Sequence, residues 1–157
     1  MYDTILTPVD GSAPSEAAAD HAIQLARDAD ATLSVVSVVD VQTLSAAKLD
    51  TEALLDGYEA EAERHVAAVA ERARESGVDV ETAVVRGTPY RAIVDRAADA
   101  DLVVMGSHGR RGLERYLLGS TTARVLRLSP APVLVLRGED RDYLPPEADE
   151  RADSTDG

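Results

Sequence analysis

The residues spaced to hold a phosphate are Gly106-Ser107-His108-Gly109, then nine residues, then Gly119-Ser120. The apolar run Leu102-Val103-Val104-Met105 precedes them and reads as a buried strand; the stretch from Thr121 to Leu128 follows and reads as a helix. Glycine lets a backbone reach φ > 0 and come close to a ligand. A helix N-terminus offers unpaired N–H groups and a partial positive charge to an anion. The spacing is neither a Walker A loop, for which a Gly-Lys-Ser/Thr is missing, nor a Rossmann G-x-G-x-x-G.

The elements around the loop alternate. Thr4 to Val9 reads as a first strand, running out at Asp10-Gly11-Ser12. A helix follows, capped by Ser15 and reaching about Asp28, with Ala18, Ala22, Leu25 and Ala26 on one stripe. Leu33 to Val39 is a nearly unbroken apolar run, as in a strand covered on both faces. Asp40 to Asp50 is the longest connection and reads as a loop. A long helix then runs to about Glu75 on a stripe of Leu55, Tyr58, Ala62, Val66, Val69 and Ala73, with Ser76-Gly77 ending it. Val78 to Val85 is a third strand. Thr88-Pro89 opens a helix to about Ala98, with Thr88 as N-cap. After the fourth strand and the glycine loop, a helix from Ser120 to Leu128 is stopped by Ser129-Pro130-Ala131-Pro132, and Val133 to Leu136 is the fifth strand.

Such alternation predicts an α/β fold: one doubly wound parallel sheet of five strands with helices on both faces. Ligands of such sheets bind at the carboxyl ends of the strands, where the winding direction reverses. If the first and fourth strands are neighbours, Asp10 faces the glycine loop across one crevice. The domain expected is 1–137. From Gly138 to Gly157 the chain is rich in Asp and Glu with almost no apolar residues, and reads as a disordered acidic tail.

Composition narrows the chemistry. There is no Cys, hence no disulfide framework, thiol catalysis or cysteine zinc site. The chain carries a formal net charge of −13, which disfavours duplex nucleic acid as a partner. No apolar run approaches the ~18 residues of a membrane span, and the first residues are unlike a signal segment; a cytoplasmic protein with no membrane partner is expected. Lys48 is the only lysine. An acid-rich, lysine-poor surface fits a host with high internal salt, where the Debye length falls to ~3 Å at 1 M and self-repulsion is screened. Equal melting temperatures at low and molar salt would remove that reading. Asp99 and Asp101 read as solvated loop charges, and His21 and His65 as helix-surface residues without a function.

The chain resembles the universal stress protein family, in its ATP-binding branch. The match is G-x-x-G, nine residues, then G-Ser/Thr, met by Gly106, Gly109, Gly119 and Ser120. Ile5-Leu6-Thr7-Pro8-Val9-Asp10-Gly11-Ser12, the run Val103 to Gly109 and the ending Pro132 to Leu136 support it. The resemblance implies an adenine nucleotide alpha hydrolase-like sheet of order 3-2-1-4-5. It implies ATP or another adenine nucleotide as ligand, with Mg2+ or Mn2+ on its phosphates. Asp10 would contact the ribose or that metal; Pro8, Val9 and the backbone of Val38 would border the adenine; Met105 would add apolar wall. Gly106, Ser107, His108, Gly109, Arg110, Arg111 and Gly112 would form the loop over the phosphates, and Gly119, Ser120, Thr121 and Thr122 would receive them. It further implies a homodimer through the edge strand Val133–Leu136 and an as yet unknown protein partner. A nucleotide-responsive stress or regulatory protein is expected. A slow ATP hydrolase or pyrophosphatase-like enzyme and a nucleotide-free scaffold are the alternatives; the absence of a Walker lysine and of an acidic metal cluster in the sequence argues against fast phosphoryl transfer.

Overall fold

A computed structural model describes residues 1–49, 51–109 and 118–137. Arg110, Arg111, Gly112 and the tail 138–157, for which roles were expected, lie outside the described residues. The elements run β1 (Thr4–Pro8), α1 (Ala13–Ala29), β2 (Thr32–Asp40), α2 (Val41–Ala46), α3 (Glu52–Glu75), β3 (Val80–Gly87), α4 (Pro89–Ala97), β4 (Leu102–Gly106), α5 (Ser120–Leu128) and β5 (Val133–Leu136). The strands form one sheet in the order β3-β2-β1-β4-β5. All four pairings are parallel.

Strand alternation sorts the core into two layers. Successive side chains leave a strand on opposite faces. Ile5, Leu33, Val35, Leu102 and Val104 therefore pack with α1 and α3, while Leu6, Val36, Val103 and Met105 pack with α4 and α5. Alanine fills the α1 stripe, with Ala18, Ala19, Ala22 and Ala26 buried, so the helix sits low on the sheet. The α3 stripe buries Leu55, Ala62, Val66, Val69, Ala70 and Ala73.

Four details depart from the sequence reading. The cap of α1 is Ser12, whose side chain accepts from the Ser15 N–H at 3.3 Å. Ser15 lies a turn inside and is buried. The third strand begins at Val80, because Val78, though buried, serves the turn after α3: its N–H donates to the Ala73 carbonyl at 2.9 Å. The connection after β2 holds a short helix, α2, capped by Asp40, which accepts from the Thr43 N–H at 3.1 Å and from the Thr43 hydroxyl at 2.7 Å.

The fourth concerns Asp101. Its carboxylate accepts the backbone N–H groups of Asp3 at 2.8 Å and Thr4 at 2.9 Å, and its own N–H donates to the Thr4 carbonyl at 2.9 Å. It pins the start of β1 to the start of β4. The bond from Thr4, then that from Asp3, holds its pKa below the usual carboxylate range. A carboxyl depressed in the folded state stabilises above its unfolded pKa and loses that contribution as pH falls through the folded value. Asp101→Ala is therefore expected to unfold at lower urea than the wild type at pH 7, with the gap closing in acid below the ordinary carboxylate range. A gap independent of pH would show that the carboxylate's charge has no part in the clasp.

Candidate functional site

The β1–β4 pairing, Ile5 opposite Leu102 and Leu6 opposite Val103, places the sheet's reversal of direction between these strands. Their carboxyl ends open into a cavity of about 650 Å³. Of the residues expected to hold a ligand, Pro8, Val9, Asp10, Val38 and Met105 line it from the strand ends. Gly106, His108 and Gly109 line it from the loop, and Gly119, Ser120, Thr121 and Thr122 from the start of α5. Ser107 is not among the lining residues; it is 6% exposed. Its backbone N–H donates to the Leu136 carbonyl at 2.7 Å, and its hydroxyl lies 3.1 Å from His108 Nδ1.

At the end of β1, local bonds orient Asp10. Its Oδ1 accepts from the Ser12 N–H at 2.9 Å, and its N–H donates to the Ser15 hydroxyl at 3.1 Å. Its other oxygen stands against the glycine loop: a Cβ built on Gly109 would lie 2.6 Å from Asp10 Oδ2. Residues 99 positions apart in the chain thus meet across the crevice.

The loop glycines serve a different end from the one expected. Positive φ occurs at Gly11, Gly77 and Gly87, and at none of Gly106, Gly109 and Gly119. What those three supply is space. A Cβ on Gly106 would lie 2.8 Å from the backbone carbon of Pro14 and 2.9 Å from the Ser15 nitrogen, so Gly106 admits the start of α1 against β4. A Cβ on Gly119 would lie 3.1 Å from His108 Cα. The Gly119 N–H donates to the Ser107 carbonyl at 2.8 Å, which clasps the two ends of the glycine segment together. Thr122, 2% exposed, donates its hydroxyl to the Gly106 carbonyl at 2.8 Å and ties α5 to the strand end.

The caps are distributed unevenly. Side chains of Ser12, Asp40 and Thr51 cap α1, α2 and α3. At α4 and α5 the N-cap residues, Thr88 and Gly119, make no side-chain cap bond. Both of these helices start in the cavity wall. In α5 the first helical bond runs from the Ala123 N–H to the Gly119 carbonyl, so the N–H groups of Ser120, Thr121 and Thr122 have no partner within the helix. Pro89 at the first position of α4 has no N–H to satisfy.

Several lining residues went unnoticed in the sequence: Ser15; Asp40, Gln42, Thr43 and Leu44 around α2; Thr88, Pro89, Tyr90 and Ile93 on α4; and Arg124 on α5. Asp40 with Thr43 three residues on is a helix-start signature that would have revealed α2. Thr88-Pro89 marks a helix start at the same edge of the sheet as the loop. Tyr90 and Arg124 are far apart in the chain and give no local signal. The Tyr90 hydroxyl accepts from Arg91 Nε at 2.9 Å, which lowers its pKa, and the charges of Arg91 and Arg124 act in the same direction.

The site is divided by charge. Asp10 and Asp40 lie at the β1 and β2 ends; Arg124 and the open start of α5 lie on the other wall. A ligand that fits has hydroxyl or amino donors at one end and an anion at the other. Among the described residues, no three or more His, Cys, Asp or Glu side chains cluster to hold a metal by themselves. Among them, too, no helix is long and apolar enough to cross a membrane.

A parallel α/β domain with a cleft at the switch point of its sheet is the class these features define. Residues 1–137 match the Universal stress protein family. A universal stress protein of Methanocaldococcus jannaschii is 38% identical over 141 residues, covering 87% of this chain and 83% of that protein. The structure of the hypothetical protein MJ0577 superposes with a TM-score of 0.80 at 30% identity, covering 89% of this chain and 99% of its own. A universal stress protein in complex with cAMP does so with a TM-score of 0.63 at 30% identity, covering 88% and 98%. The chain belongs to the universal stress protein family, and its sheet has the adenine nucleotide alpha hydrolase-like order.

Proposed function

We propose that this protein binds an adenine nucleotide, ATP with a divalent cation, and acts as a nucleotide-responsive dimer in a stress or regulatory pathway. The observation that carries the reading is the meeting of three features in one cavity: the Asp10 carboxylate, the close-packed glycines, and the open N–H groups of α5. The phosphates lie at the start of α5, where unpaired N–H groups and the helix dipole favour negative charge. The base lies among Pro8, Val9, Val38 and Met105, and the ribose hydroxyls face Asp10. A relative in complex with cAMP supports an adenine nucleotide as the ligand class. Mg2+ or Mn2+ would be held by Asp10 and by the phosphates, which supply most of its ligands, and would offset their charge in a protein of net charge −13.

Titration calorimetry with Mg-ATP, in molar and in low salt, tests the reading. Saturable binding is expected, with adenine nucleotide recoverable from freshly purified protein and identified by mass. No binding at millimolar Mg-ATP in either salt would overturn it. The dimer forms through β5, an edge of the sheet with Leu134 exposed and with Leu126 and Leu128 exposed on the adjoining α5. Sedimentation equilibrium should show a dimer; a monomer across the micromolar range would contradict it.

A further inference from the structure

Arg124 is the one lysine or arginine among the described residues that line the cavity. Its guanidinium carbon lies 5.0 Å from the centroid of the Tyr90 ring, and Tyr90 lines the same wall. Arg91 in turn fixes Tyr90, by the 2.9 Å bond to its hydroxyl and by a guanidinium 5.7 Å from the ring. Other arginines of the fold are occupied by carboxylates: Arg72 by Glu16 and Asp20, Arg86 by Glu52, Asp56 and Glu59. Among the described residues Arg124 has no carboxylate partner. A guanidinium resting on an aromatic face is held in place, while its N–H fork stays available for a planar, two-point contact with a phosphate.

We propose that Arg124 is a specificity-determining residue that reads the phosphate charge of the ligand, and that Tyr90 is the positioning residue that holds it. The proposal rests on the adenine-nucleotide reading above. Arg124 comes directly after the open first turn of α5, which begins at Ser120, so the helix start and the guanidinium receive the same anion. Asp40, at the end of β2 on the opposite wall, repels that anion and sets the ligand's direction. Neutral adenosine meets the base-binding wall alone and gains nothing from Arg124.

The test is calorimetric titration of adenosine, AMP and Mg-ATP into the full chain as wild type, Arg124→Gln, Tyr90→Phe and Tyr90→Leu. Arg124→Gln should weaken AMP and ATP by about tenfold or more while adenosine stays within roughly twofold, and the salt dependence of ATP binding should flatten. Tyr90→Phe, which loses the bond from Arg91 but keeps the ring under both guanidiniums, should bind within about twofold of wild type; Tyr90→Leu should behave as Arg124→Gln. Unchanged ATP affinity in Arg124→Gln, or an equal loss for adenosine and ATP, overturns the assignment to Arg124 while leaving the nucleotide site standing. Wild-type protein that binds none of the three overturns the nucleotide reading itself, and this proposal with it.

Discussion

Gly109→Val is expected to weaken Mg-ATP binding by about ten- to a hundredfold, the value of one or two charge-assisted hydrogen bonds, and to leave the protein folded. The new Cβ would stand 2.6 Å from Asp10 Oδ2. The atom it meets is the end of a side chain, so the carboxylate can swing away. Doing so breaks the bond from the Ser12 N–H to the carboxylate, at a cost of about 1.5–3 kcal/mol. The fold tolerates that loss. The crevice does not, because its acidic wall has been turned out of the ligand's path. Gly109→Ala should show most of the effect, since the first methyl makes the collision. Calorimetry measures the affinity and thermal denaturation the fold. Undiminished affinity in both variants would mean that the loop and Asp10 do not share a ligand.

Gly106→Ala carries the second large effect, and it falls on stability. Its Cβ would lie 2.8 Å from Pro14 and 2.9 Å from Ser15, and the nearest atoms include backbone. Backbone at a helix start cannot rotate away, so either α1 lifts or β4 bends. Overpacking of this kind costs about 1–3 kcal/mol, and more for valine. Urea denaturation should show a lowered midpoint for Gly106→Ala and a further drop for Gly106→Val. An alanine variant as stable as the wild type would show that α1 has slack where it crosses the sheet. The two glycines, three residues apart, thus separate by phenotype: Gly109 by affinity, Gly106 by folding.

That separation bears on how much could be read from the sequence. The element order was legible because the core follows simple periods: Ile5 and Leu6 alternate across the sheet, and Ala18, Ala22 and Ala26 repeat along α1. The position of the cleft depended on strand order, which periodicity does not contain. The glycine pattern pointed to residues that line the cavity, with only part of its physical reason present. Close approach matters at Gly106, Gly109 and Gly119, and left-handed backbone does not. The short helix α2 was missed because its six residues carry a single half-buried apolar pair, Val41 and Leu44, too short a stripe to read as a helix. Ser15 was mistaken for the cap because two serines stand three residues apart. Pro14, which suits the first turn of a helix, was the clue that favoured Ser12. Asp101 shows the general limit: its bonds to Asp3 and Thr4 span nearly a hundred residues, and only the folded chain brings them together.

The ring beneath Arg124 has one more consequence, and it is optical. The chain has no tryptophan and five tyrosines. Near-ultraviolet emission from this protein therefore comes from tyrosine, and of the described tyrosines Tyr90 is the one in the cavity wall. Its neighbour on that wall is the Arg124 guanidinium, 5.0 Å from the ring centroid, so a change in that guanidinium's surroundings reaches the ring. The site has a built-in chromophore, and its state can be followed in unlabelled protein.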